Sequence, residues 1–492
     1  MKIHPEIKEF KELAKKGNLI PVYAELFADM ETPVSAFKKI EGKYSFLLES
    51  VVGGERLARY SFLGSDPSVI FVSKDNRVEL TSGGKKTVFS SGTDCLVALK
   101  ELMARYRPVK VSGLPPFTGG AVGYLSYDMV RYFEELPLKN SDDRDLPDAA
   151  FMITDTMLIF DHLKHTIKVV ANVFVERNPD KAYKQGTAAI SRLVEKLKKP
   201  AKDGILLKQA ASGKETVLVS NTAKKTYEQM VFKAKEYIKA GDIFQVVLSQ
   251  RLSAKTGIDS FDIYRALRVV NPSPYMFYLK YGDFKVTGAS PEIMVKVEDG
   301  VVTERPIAGT RPRGKDDAED EKLTAELLKD PKELAEHIML VDLARNDLGR
   351  VCDYKSVKVD EMMVIEKYAF VMHIVSNVNG RLKKNRDAYD VIRACFPAGT
   401  VSGAPKIRAM EIIEELEGIQ RGPYAGMIGY FGFNGNLDSC ITLRTMVINK
   451  DTVYVQAGAG IVADSNPAKE YQETLNKAKA LMSAVELAGK GL

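Results

Sequence analysis

One stretch decides the fold class: GDIFQVVLSQRLSAKTGIDSFDIYRALRVVNPSPYMFYLKYGDFKVTGAS (241–290). Its first part, 241–252, is rich in β-branched and apolar residues and predicts a strand. Residues 261–270 have the apolar spacing of a helix, and 275–290 predict a hairpin. Because strands and helices do not alternate regularly here, the sequence favours an α+β fold with antiparallel sheets over a doubly wound one.

The same analysis divides the rest of the chain. Short strands joined by turns are predicted between residues 18 and 175, followed by a helix over 180–198. The polar connector KKPAKDGILLKQAASGKET is the best candidate for a linker. We therefore expect an N-terminal region (18–198), a linker (199–222) and a C-terminal domain (223–492), with helices in the last over 224–240, 331–347 and 467–488.

Composition excludes several classes of protein. The 492 residues are 45% hydrophobic, and no apolar run approaches the length of about 18 residues that crosses a bilayer. The first residues are too polar for a signal peptide, so the cytoplasm is the expected location. Four cysteines without C-x-x-C spacing predict neither a disulfide framework nor a zinc site. A net charge of +6 from 71 basic and 65 acidic residues, without a dense basic tract, predicts a solvated surface.

Two predicted helices begin in the same way, with a capping residue, a proline and two glutamates three residues apart. The first begins with Asp330, Pro331, Glu333 and Glu336, and the second with Asn466, Pro467, Glu470 and Glu473. Helix capping explains Glu333, and an ordinary surface pair with Lys477 explains Glu473, so these residues alone do not predict a metal site. If the two helices converge, carboxylate oxygens without His or Cys suit Mg²⁺.

Residues 458–463, GAGIVA, formally match the dinucleotide fingerprint G-x-G-x-x-G/A. In a Rossmann unit the helix begins inside the glycine motif, whereas here the helix start at Asn466-Pro467 follows it. A nicotinamide enzyme is therefore disfavoured. We expect instead a loop whose backbone N–H groups receive a carboxylate.

Several segments together resemble the chorismate-utilising enzymes, and within them the anthranilate synthase component I group. They are FLLES (46–50), GGAVGYLSYD (119–128), NPSPYMFY (271–278), TGASPE (287–292), PIAGTRPRG (306–314), ELAEHIMLVDLARNDLGR (333–350), FVMHIVSNVNG (370–380), FPAGTVSGAPK (396–406), RGPYAGMIGY (421–430), CITLRTM (440–446) and VQAGAGIVADSNPAKEYQETLNKA (455–478). The resemblance implies two large antiparallel sheets packed as a sandwich with helices outside. It also implies an Mg²⁺-dependent carbon–oxygen lyase that converts chorismate and ammonia to anthranilate and pyruvate.

The resemblance assigns roles to individual residues. Glu292 is implied as the general acid for the departing C4 hydroxyl, His373 as the base for the C2 proton, and Thr400 as a substrate-side hydroxyl. Acting as an acid near pH 7 requires that burial raise the pKa of Glu292. From the residues alone, His373 is more typical of a core histidine in a strand, and Thr400 of a turn.

Further residues are implied to bind the substrate and metal. The implied metal ligands are Glu336 and Glu473, supported by Glu333 and Glu470. The implied substrate contacts are Gln245, Gly309, Thr310, Tyr424, Arg444, Gly458, Ala459, Gly460 and Lys477. In the same loop as Gly309, Arg311 and Arg313 are expected only to brace the turn.

Two positions separate the sibling reactions within the resemblance. Para-aminobenzoate-type (aminodeoxychorismate) synthases carry a lysine nucleophile where this chain has Ala308. Isochorismate synthases carry a water-activating lysine where it has Gln245. Both positions favour anthranilate as the product. A sibling reaction, and a basic nucleic-acid-binding protein without chorismate turnover, remain the alternatives.

The resemblance also implies partners and an inhibitor. No G-x-C-x-G elbow surrounds a cysteine, so ammonia is expected from a separate glutamine amidotransferase subunit, anthranilate synthase component II. A feedback site for L-tryptophan is implied at Glu49, Ser50, Pro274, Tyr275 and Met276. The alternative for these five residues is strand core plus a turn.

Overall fold

The structure is a computed structural model that describes residues 1–50, 59–137, 139–200, 218–368 and 371–491. Of the predicted linker, residues 201–217 lie outside the described ranges. Within those ranges, no helix has both the length and the apolar character that crossing a membrane requires.

The described chain contains eleven α-helices. They are α1 (Ile7–Leu13), α2 (Pro33–Ile40), α3 (Cys95–Met103), α4 (Pro179–Lys198), α5 (Lys224–Ala240), α6 (Ser260–Val270), α7 (Asp317–Leu327), α8 (Pro331–Val351), α9 (Ala388–Cys395), α10 (Lys406–Glu417) and α11 (Pro467–Lys490). Short 3₁₀ turns cover Tyr127–Tyr132 and Gly399–Val401.

The strands of the described residues run from one end of the chain to the other. They are β1 (Ile3–His4), β2 (Leu19–Phe27), β3 (Tyr44–Glu49), β4 (Tyr60–Ser65), β5 (Val69–Lys74), β6 (Arg77–Ser82), β7 (Lys85–Ser90), β8 (Gly120–Leu125), β9 (Ala149–Thr154), β10 (Thr156–Asp161), β11 (Thr166–Phe174), β12 (Val219–Ser220), β13 (Gln245–Lys255), β14 (Tyr275–Tyr281), β15 (Phe284–Ser290), β16 (Ile293–Glu298), β17 (Val301–Glu304), β18 (Ile307–Pro312), β19 (Lys358–Lys367), β20 (Val371–Arg381), β21 (Gly403–Ala404), β22 (Met427–Gly432), β23 (Leu437–Ile441), β24 (Thr445–Asn449) and β25 (Thr452–Ile461).

These strands form two large sheets. The first has the order β1-β2-β11-β10-β4-β3-β14-β15-β24-β25-β13-β12, with β21 beside β13. The second has the order β18-β20-β17-β16-β23-β22-β8-β9-β5-β6-β7, with β19 beside β20. Every named pair is antiparallel, and strands and helices do not alternate, so the predicted α+β fold with antiparallel sheets is confirmed.

The N-terminal and C-terminal regions contribute strands to both sheets. In the first sheet β3 pairs with β14, with Glu49 opposite Met276. In the second sheet β8 pairs with β22, with Tyr124 opposite Ile428. The proposed boundaries at 198 and 223 therefore divide the sequence, whereas the two sheets run continuously across that division. The boundaries themselves stay a prediction.

A hydrophobic layer separates the two sheets. Phe46, Phe277 and Leu279 of the first sheet pack in one cluster with Tyr124 and Ile428 of the second, and all five are buried. The outer face of the first sheet is covered by helices that include α2, α4, α6 and α11. The outer face of the second is covered by α3, α8 and α9, while α10 packs against β13 and β21 of the first sheet. This arrangement is the expected sandwich with helices outside.

A buried ion pair lies beside β13. The Arg421 guanidinium donates to the Glu417 carboxylate at 2.6 and 2.9 Å, and both side chains are 1% exposed. Arg421 also donates to the carbonyl oxygens of Val247 and Val401, at 2.7 and 2.8 Å. Glu417 accepts the backbone N–H of Ser249 at 2.7 Å. The charges are therefore fully hydrogen-bonded, which a buried pair requires.

Candidate active site

The two glutamate-bearing helices begin as predicted. Asp330 caps α8 by accepting the backbone N–H groups of Lys332 and Glu333, and Pro331 is the first helical residue. Asn466 and Pro467 begin α11 in the same way. The predicted capping role of Glu333 is wrong, because α8 has no capping box and the Glu333 carboxylate accepts from Arg311 Nη1 at 3.3 Å.

The starts of α8 and α11 converge on one cavity of about 470 Å³. Strands β13 and β25 of the first sheet and β18, the edge strand of the second, form its other walls. Four carboxylates line it, Glu333 and Glu336 from α8 and Glu470 and Glu473 from α11. The sequence separates the two pairs by more than 130 residues, and the fold brings them together.

These carboxylates repel one another. Burial, followed by the charges of Glu333 and Glu473, raises the pKa of Glu336 above its ordinary value. Burial and the charge of Glu473 likewise raise the pKa of Glu470. Glu473 has a partial counter-charge in Lys477, at 2.7 Å. Among the described residues, no three or more His, Cys, Asp or Glu side chains are grouped so that together they could hold a metal ion.

Positive charge enters the cavity from three side chains, those of Lys332, Arg444 and Lys477. Arg444 is half-buried, and no carboxylate of the described chain lies within 4.0 Å of its guanidinium. Its backbone has φ +48°, a strained conformation for a residue with a side chain and one that recurs at functional sites. A half-buried cation without a counter-ion among the described residues is a binding group for an anion.

Glu292 has the environment of a general acid. Its side chain is 5% exposed, and it accepts a hydrogen bond from the Thr400 hydroxyl at 2.7 Å. Burial raises the pKa of Glu292 to about 8, so its protonated form predominates at neutral pH. Thr400 lines the cavity and Glu292 lies directly behind it. The expectation that burial raises this pKa is therefore met.

His373 lies on β20, beside the cavity wall formed by β18. Its Nδ1 is 3.2 Å from the Gly309 carbonyl oxygen and 3.0 Å from the Thr310 hydroxyl. Since a carbonyl only accepts, Nδ1 carries the proton and Nε2 has a free lone pair. Burial lowers the pKa of His373, which keeps the ring neutral and able to act as a base. Gly309 makes this approach possible with φ +72° at a β-bulge.

The glycines of residues 458–463 lie within strand β25 rather than in the expected loop. A Cβ on Gly458 would lie 2.7 Å from the Tyr424 hydroxyl, and one on Gly460 would lie 2.7 Å from Gln245 Nε2. Glycine is therefore required for these side chains to share the cavity wall. The side chain of Ala459 packs in the hydrophobic core. The antiparallel pairing of β25 with β13 excludes a Rossmann unit here.

The remaining substrate-site predictions occupy the same cavity. Lys477 Nζ donates to the Gly458 carbonyl oxygen at 3.0 Å, which fixes α11 to β25. Gln245 and Ala308, the two positions that separate the sibling reactions, both line the wall. Arg311 pairs with Asp330 at 2.8 Å and Arg313 with Asp320 at 2.6 Å, in agreement with a bracing role. Lys332 and Gln456 line the cavity and were not predicted; only Lys332, beside Glu333, had a sequence signal.

A second cavity of about 330 Å³ lies between the two sheets. All five residues of the expected inhibitor site line it, Glu49, Ser50, Pro274, Tyr275 and Met276. Sequence reasoning missed other polar residues of this wall, namely Arg59, Lys296, Glu298 and Asp438. They are scattered along the chain without a pattern.

The polar groups of this second cavity are fixed by buried contacts. Glu49 accepts hydrogen bonds from Tyr264 and from Arg268, the latter at 3.2 Å. The Tyr275 hydroxyl donates to Asp438 at 2.9 Å. Ile293, the residue after Glu292, also lines this cavity. The short segment between β15 and β16 therefore borders both cavities, the active-site cavity through Pro291 and the second cavity through Ile293.

Comparison with known proteins identifies the family of the chain. The profile of the chorismate binding enzyme family matches residues 51–483. The chain is 48% identical to anthranilate synthase component 1 of Acetivibrio thermocellus over 99% of both chains. It is also 48% identical to that of Pseudomonas aeruginosa over 98% of both chains.

Solved structures give the same result for the fold. Anthranilate synthase component I from Streptococcus pneumoniae has a TM-score of 0.77 at 39% identity, covering 93% of this chain and 98% of that one. The menaquinone-specific isochorismate synthase from Escherichia coli has a TM-score of 0.71 at 18% identity, covering 97% and 98%, and shows the fold alone. The chain belongs to the chorismate binding enzyme family, in the group of anthranilate synthase component 1.

Proposed function

We propose that this chain is the chorismate-converting component of an anthranilate synthase. It adds ammonia at C2 of chorismate with loss of the C4 hydroxyl, then eliminates pyruvate to give anthranilate, the first step of tryptophan biosynthesis. The observation that carries the proposal is the pair of Glu292 and Thr400, a protonated carboxyl at 2.7 Å from a hydroxyl on the wall of a cavity that contains Arg444.

The charges of the cavity support a dianionic substrate together with a divalent cation. Arg444 binds one carboxylate of chorismate bidentately, since its guanidinium has no counter-ion among the described residues. The four glutamates outnumber the three basic side chains, so a second carboxylate needs additional positive charge. The oxygen-only donor set fits Mg²⁺, held by Glu336 and Glu473 with Glu333 and Glu470 in support. When bound, Mg²⁺ supplies Lewis-acid charge and orients the ring carboxylate.

The proposed acid and base lie behind different walls of the cavity, Glu292 behind Thr400 and His373 behind β18. Glu292 delivers its proton to the C4 oxygen, because hydroxide itself is a poor leaving group, and Thr400 holds that carboxyl beside the cavity. His373 Nε2 removes the C2 proton in the elimination step, with its ring fixed by the Gly309 carbonyl oxygen. Tyr424 stays neutral, because burial raises its pKa to about 12, and it contributes a hydroxyl to the wall.

The sibling reactions are disfavoured by the cavity wall itself. Ala308 offers no amine for covalent capture of C2, and the amide of Gln245 cannot activate water. Free ammonia is then the nucleophile. A glutamine amidotransferase subunit supplies it in the complete enzyme, and the chain alone uses ammonium. The cytoplasmic location expected from composition stays a prediction.

L-Tryptophan is the ligand we propose for the second cavity. Its carboxylate and amino group need charged partners, and Arg59, Glu49, Glu298 and Asp438 supply both signs. The apolar floor between the sheets accommodates an indole ring. Inhibition requires that tryptophan bind one of two states more tightly. Because Ile293 borders this cavity and follows Glu292 in the chain, a bound inhibitor acts directly on the segment that carries the proposed acid.

The product of the isolated chain tests the function. With chorismate, ammonium and Mg²⁺, we expect anthranilate and pyruvate in equal amounts, followed by the fluorescence of anthranilate. With glutamine in place of ammonium, no product is expected without a partner subunit. Aminodeoxychorismate or isochorismate as the product would contradict the proposal, as would absence of turnover at high ammonium.

The pH dependence tests Glu292. Because burial raises its pKa to about 8, the reactive acid form is present at lower pH, and kcat should fall as pH rises through about 8. Glu292→Gln should lower kcat by about 10²–10⁴-fold. Glu321→Gln on the exposed face of α7 is the matched control and should keep the wild-type profile. A Glu292→Gln enzyme with wild-type kcat would exclude the acid role.

Metal titration tests the converging helices. Glu336→Gln and Glu473→Gln should each raise the Mg²⁺ concentration for half-maximal activity by about tenfold or more. Direct binding of Mn²⁺, measured by electron paramagnetic resonance without substrate turnover, should weaken in parallel. Glu486→Gln removes an exposed carboxylate from the same helix, α11, and serves as the control. Unchanged metal affinity in both site variants would refute the assignment.

A bulky residue at position 50 tests the inhibitor site. The Ser50 hydroxyl is buried without a hydrogen-bond partner among the described residues, and its side chain borders the second cavity. Ser50→Phe should fill that space, leave anthranilate formation within about twofold, and raise the tryptophan concentration for half-inhibition by tenfold or more. Ser90→Phe, on exposed strand β7, is the control. Full tryptophan sensitivity in the Ser50 variant would rule out this cavity.

A further inference from the structure

A third, small cavity of about 30 Å³ lies behind Glu292, on the side away from the substrate. Thr400 separates it from the active-site cavity, and both cavities border that residue. Apolar side chains such as Leu340, Leu343 and Ile441 form much of its wall. Three carboxyl groups also reach it, those of Glu292, Glu304 and Asp347. The volume accommodates a water molecule, and the carboxyl oxygens provide its polar partners.

Glu304, the last residue of β17, has an unusual carboxyl group. Its Oε1 is buried without a hydrogen-bond partner in the described chain. The titratable and charged groups around it include Asp347, Cys395, Lys406, Glu292 and Cys352. Burial, and then the charge of Asp347, raise the pKa of Glu304 well above its ordinary value. An unpaired buried polar atom calls for a partner such as water.

A charged pair continues from Glu304 towards the surface. Lys406 Nζ donates to Asp347 and to the Cys395 carbonyl oxygen, the latter at 3.2 Å. The charge of Arg350 acts on Asp347, and the Arg350 side chain is 54% exposed. Buried carboxyl groups thus extend from Glu292 to a group in contact with solvent.

The proposed reaction creates a need for such a route. Each turnover transfers the proton of Glu292 to the leaving oxygen, and the carboxylate that remains must regain a proton before the next turnover. Its other face, towards Thr400, is covered by the substrate site. Water enters that side only when substrate and product are absent. A proton that reaches Glu292 from the small cavity does not have to wait until the substrate site is empty.

We propose that Glu304 relays protons to Glu292 through a water molecule in the small cavity, on the assumption that the proposed lyase function is correct. In the relay step, the Glu304 carboxylic acid gives its proton to the water, and the water gives one to the Glu292 carboxylate. Glu292 becomes the acid and Glu304 the carboxylate. Glu304 then regains its proton from solvent by way of Asp347 and Lys406, so one solvent proton replaces the one used at C4.

Kinetics of the whole chain test this relay. Glu304→Gln preserves the shape of the side chain and removes its exchangeable acid proton. We expect kcat for anthranilate formation to fall by about tenfold or more, with KM for chorismate within about twofold. In the variant, but not in the wild type, kcat at fixed pH should rise with the concentration of protonated buffer. A structural role alone would not produce this buffer dependence.

The control is Glu361→Gln, which removes a carboxylate that pairs with Arg305, the residue next to Glu304. It should behave as the wild type does. Wild-type kcat in Glu304→Gln, or a lowered kcat without buffer dependence, would overturn the relay. An infrared difference spectrum, wild type minus Glu304→Gln and recorded without substrate, tests the relay separately from the lyase function. The wild type should show a protonated buried carboxyl that Glu304→Gln lacks, and identical spectra would also overturn it.

Discussion

The buried ion pair between Arg421 and Glu417 fixes the floor of the active-site cavity. Through its bonds to Val247 and Val401, it joins β13 to the turn that carries Thr400. The guanidinium also lies 5.6 Å from the ring of Tyr424, on the same floor. Removing one partner would leave an uncompensated charge in the interior, so the three elements are held in one arrangement. Hydrogen bonds therefore join Glu292, the Thr400 turn and strand β13 of the cavity wall in one connected set.

Local sequence signals predicted the parts of the site that depend on local structure. The caps at Asp330 and Asn466 satisfy the free N–H groups of helix starts, so α8 and α11 could be predicted with their glutamates in order. The stretch 241–290 likewise forms the predicted strand, helix and hairpin. Roles of single residues such as Glu292 came from the resemblance, and the structure adds the burial that makes its chemistry possible.

Other features depend on contacts between distant parts of the chain and had no local signal. The pairing of β3 with β14 and of β8 with β22 joins segments about 230 and 300 residues apart. Glu304 lies in an ordinary strand sequence, and its carboxyl is buried by segments that are distant in the chain, among them α8 and the turn at 398–400. The glycines of β25 suggested a loop, since their need for close approach to Tyr424 and Gln245 is visible only in three dimensions.

One short segment, 291–293, borders two cavities and limits how the chain can change. Pro291 lines the active-site cavity, Ile293 lines the second cavity, and Glu292 between them is the proposed acid. A substitution in this segment would alter the walls of both cavities. The opposite wall, which the N-terminal strands form, borders only the second cavity. Under the proposed inhibition by L-tryptophan, substitutions that relieve it and keep the activity should therefore accumulate on the N-terminal side of this cavity.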